Sequence, residues 1–154
     1  MRLYVFSNMY LSPIQHGIQG LHAMGEMVLK YPAASRGGKR FRKWLGEHKT
    51  VIVLNAGYSS VLGDIHQILG EISKDDPGVA FASFREEGLE DALTSVAVVV
   101  EEKSYCPVAG GESEAQIVEL LEQFDGNGLD AARFGRNFPA YARLGALCKS
   151  FRLA

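Results

Sequence analysis

The sequence predicts an α/β fold: a mixed four-stranded sheet with helices on both faces, in the order β-α-α-β-α-β-β, plus a C-terminal helical extension. Three observations carry this. The runs RLYVFS (2–7), TVIVLN (50–55) and LTSVAVVV (93–100) are apolar without alternation, the pattern of strands covered on both sides. Segments of helical period separate the first three strands. The last two strands are joined by about seven residues, too few for a crossover helix, so they are expected as antiparallel neighbours.

After the strand at 2–7, residues 12–30 carry a helix with its own start signal. Ser12 is placed to cap, Pro13 suits the first helical position, and Gln15 completes a capping box. Ile14, Ile18, Leu21 and Val28, with Gly25 among them, gather on one side and are expected to face the core. Gln15, Gln19, His22 and Glu26 form a second stripe of amides, imidazole and carboxylate. Gly17 and Gly20 weaken the helix by about 1 kcal/mol each relative to alanine, which close approach by a backbone or a ligand would offset.

Pro32 closes that region, and SRGG (35–38) reads as a flexible turn. Residues 39–48 read as a second short helix with Phe41, Trp44 and Leu45 inward and its basic side chains in water. After the strand at 50–55, Ser59 or Ser60 caps a helix to about residue 73, with Val61, Ile65, Ile68 or Leu69, and Ile72 inward and His66 at the surface. DDPG (75–78) is a turn, and strands at 79–85 and 93–100 flank the acidic loop 86–92. Residues 101–112 connect to a helix at 113–124 capped by Ser113. DGNG (125–128) stops that helix, a short helical piece spans 129–134, and a final helix spans 139–151. The expected division is an α/β domain over 1–103 and an extension over 104–154 packed on the same domain.

Length and composition are those of an ordinary globule of 154 residues. Two cysteines and no apolar run near 20 residues favour a cytoplasmic protein with no membrane span. The net charge of −2 hides an asymmetry: residues 1–50 hold eight Lys or Arg against two Asp or Glu. Arg36, Lys39, Arg40, Arg42, Lys43 and Lys49 concentrate it and suggest a focused anionic partner, with phosphate-backbone contact set against a merely solvated face. No Walker loop, GxGxxG, HExxH, CxxC or GxSxG occurs, so neither a metal nor a cofactor is expected. Any hydrolysis would rest on positioned polar groups: Gln19 and His22 to orient water or hold an oxyanion, Glu86 as base. Asn8, at the end of the first strand, stands where open α/β sheets bind ligands.

Gln19-x-x-His22-Ala23 after a first strand resembles the Q-x-x-H-A segment of the type II peptidyl-tRNA hydrolases. The basic Trp-containing helix, the buried second strand, the third helix and the closing strand pair follow in the family's order. Arg85-Glu86-Glu87-Gly88 resembles its R-D-A-G. The resemblance covers about residues 1–101 and implies an esterase that cleaves peptidyl- or acyl-tRNA. By that likeness Gln19, His22 and Glu86 are catalytic, and Asn8, Gln15, Lys39, Arg40, Arg42, Lys43 and Arg85 hold the substrate. Gln15 stands where the family has lysine, Glu86 where it has aspartate, and Glu90 where it has threonine. A second reading is therefore a catalytically altered member that binds or cleaves a small nucleotide or a tRNA end. A third is an interaction subunit whose tail docks a partner or a second copy as a homodimer.

Overall fold

The computed structural model describes residues 1–124 and 134–154. It is an α/β fold with a mixed sheet of five strands in the order β3-β4-β1-β2-β5. The chain runs β1 (Arg2–Ser7), α1 (Pro13–Lys30), α2 (Arg36–Lys43), β2 (Val51–Asn55), α3 (Ser59–Asp75), β3 (Phe81–Glu86) and β4 (Ala92–Val100). It continues as α4 (Glu102–Tyr105), α5 (Glu112–Phe124), α6 (Ala140–Lys149) and β5 (Arg152–Leu153). β1 lies parallel to β2, pairing Leu3 with Val51, and antiparallel to β4, pairing Arg2 with Val100. β3 and β4 are antiparallel, with a bulge between Phe84 and Arg85.

The fifth strand corrects the four-strand expectation. Helix α6 stops at Lys149, and the next residues pair with the outer edge of β2, Leu54 opposite Leu153. Two residues are too few to show a strand period in sequence.

Alternate strand residues feed two cores, as the pleat requires. Leu3, Val5, Ala82, Ala97 and Val99 meet Ala23 and Met27 of α1 and Phe41 and Trp44 beyond it. Tyr4, Phe6, Val96, Val98 and Val100 meet Leu62, Ile65, Ile68, Leu69 and Ile72 of α3. Leu120, Leu144, Leu147 and Cys148 of the extension complete that second core.

Helix α1 starts as expected: Ser12 accepts from the Gln15 N–H, and the Gln15 side chain accepts from the Ser12 N–H at 2.9 Å. Its inward face is not the expected one. Gln19, Gly20, Ala23 and Met27 are buried, while Ile14, Ile18, Leu21 and Val28 stand in solvent. The cause is close approach to a sheet face rich in alanine. A Cβ on Gly20 would sit 3.2 Å from Val5 Cγ1, so only small residues fit there.

SRGG is not a loose turn but the start of α2. Ser35 caps it by accepting from the Gly38 N–H at 3.0 Å, and both glycines are buried against Tyr31 and Pro32. A π-helical turn, Trp44–His48, follows and leaves Leu45 exposed rather than inward. Among the described residues no side chain caps α3; its N-cap is Tyr58, and Ser59 is already inside the helix. Helix α5 likewise begins at Glu112, so Ser113 lies within it. The stop expected at 125–128 and most of the helical piece expected at 129–134 fall outside the described residues.

Candidate functional site

Strands β1 and β2 point their carboxyl ends the same way, and their helices leave to opposite faces of the sheet. The crevice at such a divergence is where open α/β sheets bind ligands. The two loops are stitched together there. Asn8 Oδ1 accepts from the Tyr10 N–H at 3.1 Å, and Asn8 Nδ2 donates to Ser59 Oγ at 3.1 Å. Ser59 Oγ donates onward to the Leu93 carbonyl at 2.9 Å. The Met9 N–H reaches the carbonyl of Gly57, whose φ of +75° suits glycine.

Between these loops lies a cleft of about 610 Å³. Asn8, Tyr10, Leu11 and Gln15 line it from the β1–α1 side. Tyr58, Ser59 and Ser60 line it from the start of α3, and Leu89, Ala92 and Thr94 from the β3–β4 hairpin. The first turn of α3, without a capping side chain among the described residues, stands in the cleft wall, and such a helix start carries unpaired N–H groups and the positive dipole end. Tyr10 and Tyr58 stand at its mouth with ring centroids 5.5 Å apart. Their side-chain hydrogen bond, and next the charge on Tyr58, push the Tyr10 phenol above its ordinary pKa.

Behind the Thr94 wall sits the network expected of Gln19. Its amide is buried and fixed at both ends: Nε2 donates to Glu86 Oε2 at 2.8 Å, and Oε1 accepts from Thr94 Oγ1 at 2.7 Å. Ser95 Oγ holds the Gln19 carbonyl at 2.7 Å. Gln19 and Glu86 therefore meet as expected, and Gln15 and Asn8 do line the cleft. Among the described residues His22 makes no hydrogen bond with either member of the pair. Its ring instead stacks on Phe84, centroids 4.5 Å apart and planes 17° apart. The imidazole that does touch a hydroxyl is His16, with Nδ1 2.7 Å from Ser7 Oγ.

The basic residues lie elsewhere. Helix α2 and its π-turn pack at the amino-terminal end of β1, where Trp44 Nε1 donates to the Thr50 carbonyl at 3.0 Å. The cleft is at the carboxyl end, a strand length of about 20 Å away. Arg40 is not a free phosphate ligand. It pairs with Asp76 at 3.1 Å and Glu101 at 3.3 Å and is mostly covered. Arg42 donates to the Tyr31 carbonyl; Lys39 and Lys43 are exposed. Arg85 holds the Asp91 carbonyl at 2.9 Å and is absent from the cleft wall. His66 is solvent-exposed as expected, but one edge rests on Phe81. That cover, then the charges of Lys30 and Arg85, hold its pKa below the usual imidazole range.

Sequence reasoning missed Thr94, Ser59, Tyr10 and Tyr58. Thr94 and Ser95 had a visible signal, as the two polar interruptions of an otherwise apolar strand. In the sequence Ser59 stands out only as a candidate cap for the third helix. Among the described residues no group of three or more His, Cys, Asp or Glu is disposed to hold a metal ion. The chain matches no protein-family model and no curated protein, so the site rests on its own geometry.

Proposed function

We propose that the protein binds a small nucleotide, or the nucleotide end of an acylated tRNA, in the cleft between the starts of α1 and α3. One observation carries this reading: an uncapped helix start and a pair of tyrosines share a single concave site at the divergence of the sheet. The helix start suits a phosphate. The tyrosine faces suit a base, and a base–aromatic stack contributes about 1–3 kcal/mol. The Ser60 and Gln15 side chains suit sugar hydroxyls. Among the described residues no lysine or arginine lines the cleft, so a ligand of low charge fits better than a polyphosphate.

The test is titration calorimetry with AMP and with a short oligonucleotide ending in CCA, followed by mass spectrometry of the recovered ligand. Binding with the ligand intact supports the reading. Tyr58→Ala should weaken it tenfold or more, and Ala92→Trp should abolish it by filling the cleft. Absence of binding by both probes to the folded protein overturns it.

The Gln19–Glu86–Thr94 network favours a second reading, the esterase implied by the resemblance to type II peptidyl-tRNA hydrolases. Thr94 faces the cleft and joins it to a carboxylate and an amide that could steer water. Peptide release from peptidyl-tRNA that is lost in Gln19→Ala and Glu86→Gln would support it. No release by the wild-type chain, or release unchanged by these substitutions, would remove the network from any mechanism.

A further inference from the structure

Helix α1 presents to solvent what most helices bury. Ile14, Ile18, Leu21, Gly25 and Val28 recur at intervals of four, three, four and three, the spacing of a heptad seam. The seam lies opposite the buried face of the same helix, Gln19, Gly20, Ala23 and Met27. Ile14 is 77% and Leu21 63% exposed, in a fold whose other long helix, α3, buries Leu62, Ile65, Ile68, Leu69 and Ile72. No charged side chain of α1 flanks the seam: Gln15, His22 and Leu29 follow one side, Gly17 and Met24 the other. The charged residues of α1, Glu26 and Lys30, are turned toward the β3 side, and Lys30 is engaged with the Phe81 carbonyl at 3.0 Å. With Val51 beside it, the stripe leaves on the order of 600 Å² of apolar surface in water, at the upper end for a monomer and near the ~800 Å² per partner of a standard interface.

We infer that this face is the interface of a two-fold homodimer in which α1 packs antiparallel on α1 of a second copy, with Leu21 on the axis. The pattern is self-complementary, as a two-fold interface requires. Turned about Leu21, Ile14 meets Val28, Ile18 meets Met24, and Gly17 meets Gly25, so apolar meets apolar and glycine meets glycine. A Cβ at Gly17 or Gly25 would have nothing within 4 Å in the single chain, so both leave open space for a second backbone. A shallow groove of about 60 Å³ between α1 and β1–β2, walled by Leu21, Met24, Val51 and Val53, runs along one side of the seam and would take side chains of the second copy.

The experiment is sedimentation equilibrium on the full chain, with disulfide trapping. A dimer is expected near 100 µM, an ordinary range for a standard interface. Leu21→Glu is expected to weaken association at least a hundredfold while the circular dichroism spectrum and melting profile of the monomer are kept, because the residue is exposed. In a Cys106→Ser background, Leu21→Cys should form an interchain disulfide with itself, since residues on the axis come within about 7 Å. Ile14→Cys should do so only when mixed with Val28→Cys. A wild-type chain that stays monomeric at that concentration overturns the inference, as does a dimer unaffected by Leu21→Glu. Trapping of Ile14→Cys with itself but not of Leu21→Cys, or binding of the monomer's face to lipid vesicles, overturns it too.

Discussion

Gln19 and Glu86 are held 2.8 Å apart by a hydrogen bond that spans 67 positions of sequence and fastens α1 to the end of β3. The amide carbonyl is at the same time taken by Thr94. A buried amide bound at both ends is costly to half-release. Glu86→Ala is expected to destabilise the fold by roughly 1–3 kcal/mol, because Gln19 Nε2 loses its acceptor. A double-mutant cycle of Gln19→Leu with Thr94→Val should show coupling of about 1 kcal/mol in urea unfolding. Strict additivity would mean that the two side chains are neighbours without being partners.

Asp76 sets a pH dependence at the other end of the molecule. Burial alone would raise its carboxyl pKa. The Gly78 N–H, then Arg40 and Arg36, outweigh that and hold it below the usual carboxylate range. The folded value is thus below the unfolded one, so the contribution is present at neutral pH and lost as pH falls through the folded value. Asp76→Asn should lower the melting temperature at pH 7, and the gap to the wild type should narrow once pH drops below about 4. A gap that is constant down to pH 2 would show that the charge is immaterial.

Two glycines in helices should respond in opposite directions to alanine. A Cβ at Gly63 in α3 would meet nothing within 4 Å, so Gly63→Ala should stabilise by about 0.5–1 kcal/mol. A Cβ at Gly145 in α6 would lie 2.5 Å from the Ser104 carbonyl oxygen and 2.7 Å from Ile117 Cδ1. Gly145→Ala should cost about 1–3 kcal/mol by forcing α6 away from α4 and α5. Chemical denaturation of both variants decides this; equal effects would refute the packing argument.

Arg143 ties the extension to α3. It is buried, with Nε on the Phe134 carbonyl at 3.0 Å and Nη1 on Asp75 at 2.8 Å. Burial is the largest influence on its guanidinium and lowers its pKa against the pull of Asp75. Arg143→Ala should cost roughly 3–5 kcal/mol, since it removes both bonds and a large volume. Asp75→Ala should be costly as well, although Asp75 itself is largely in water, because it leaves the buried guanidinium without its counter-charge. A neutral Asp75→Ala in thermal unfolding would contradict this picture.

The order of elements through residue 101 was legible because uninterrupted apolar runs and helical periods are local signals. The orientation of α1 was not. A search for its core face weighs large aliphatics, whereas the contact is made by Gly20, Ala23 and a bonded glutamine against an alanine-rich sheet. Shape, not hydrophobicity, settled which side turned inward. Arg40 looked like one of several free cations because its partners, Asp76 and Glu101, lie 36 and 61 positions downstream. The cleft was half legible: Asn8 and Gln15 followed from strand and helix ends, while the tyrosine pair needed the two loops brought together.

The outer margin of β2 is closed by very little. Arg152 and Leu153 pair with it, and the Ala154 N–H adds one bond to the Val53 carbonyl. Deleting those three residues would uncover backbone donors and acceptors at Val53, Leu54 and Asn55, an invitation to strand-by-strand association between molecules. A fusion partner attached there would load the same two-residue pairing. Preparations tagged at that position should be compared with amino-terminally tagged ones before any precipitation is blamed on the fold.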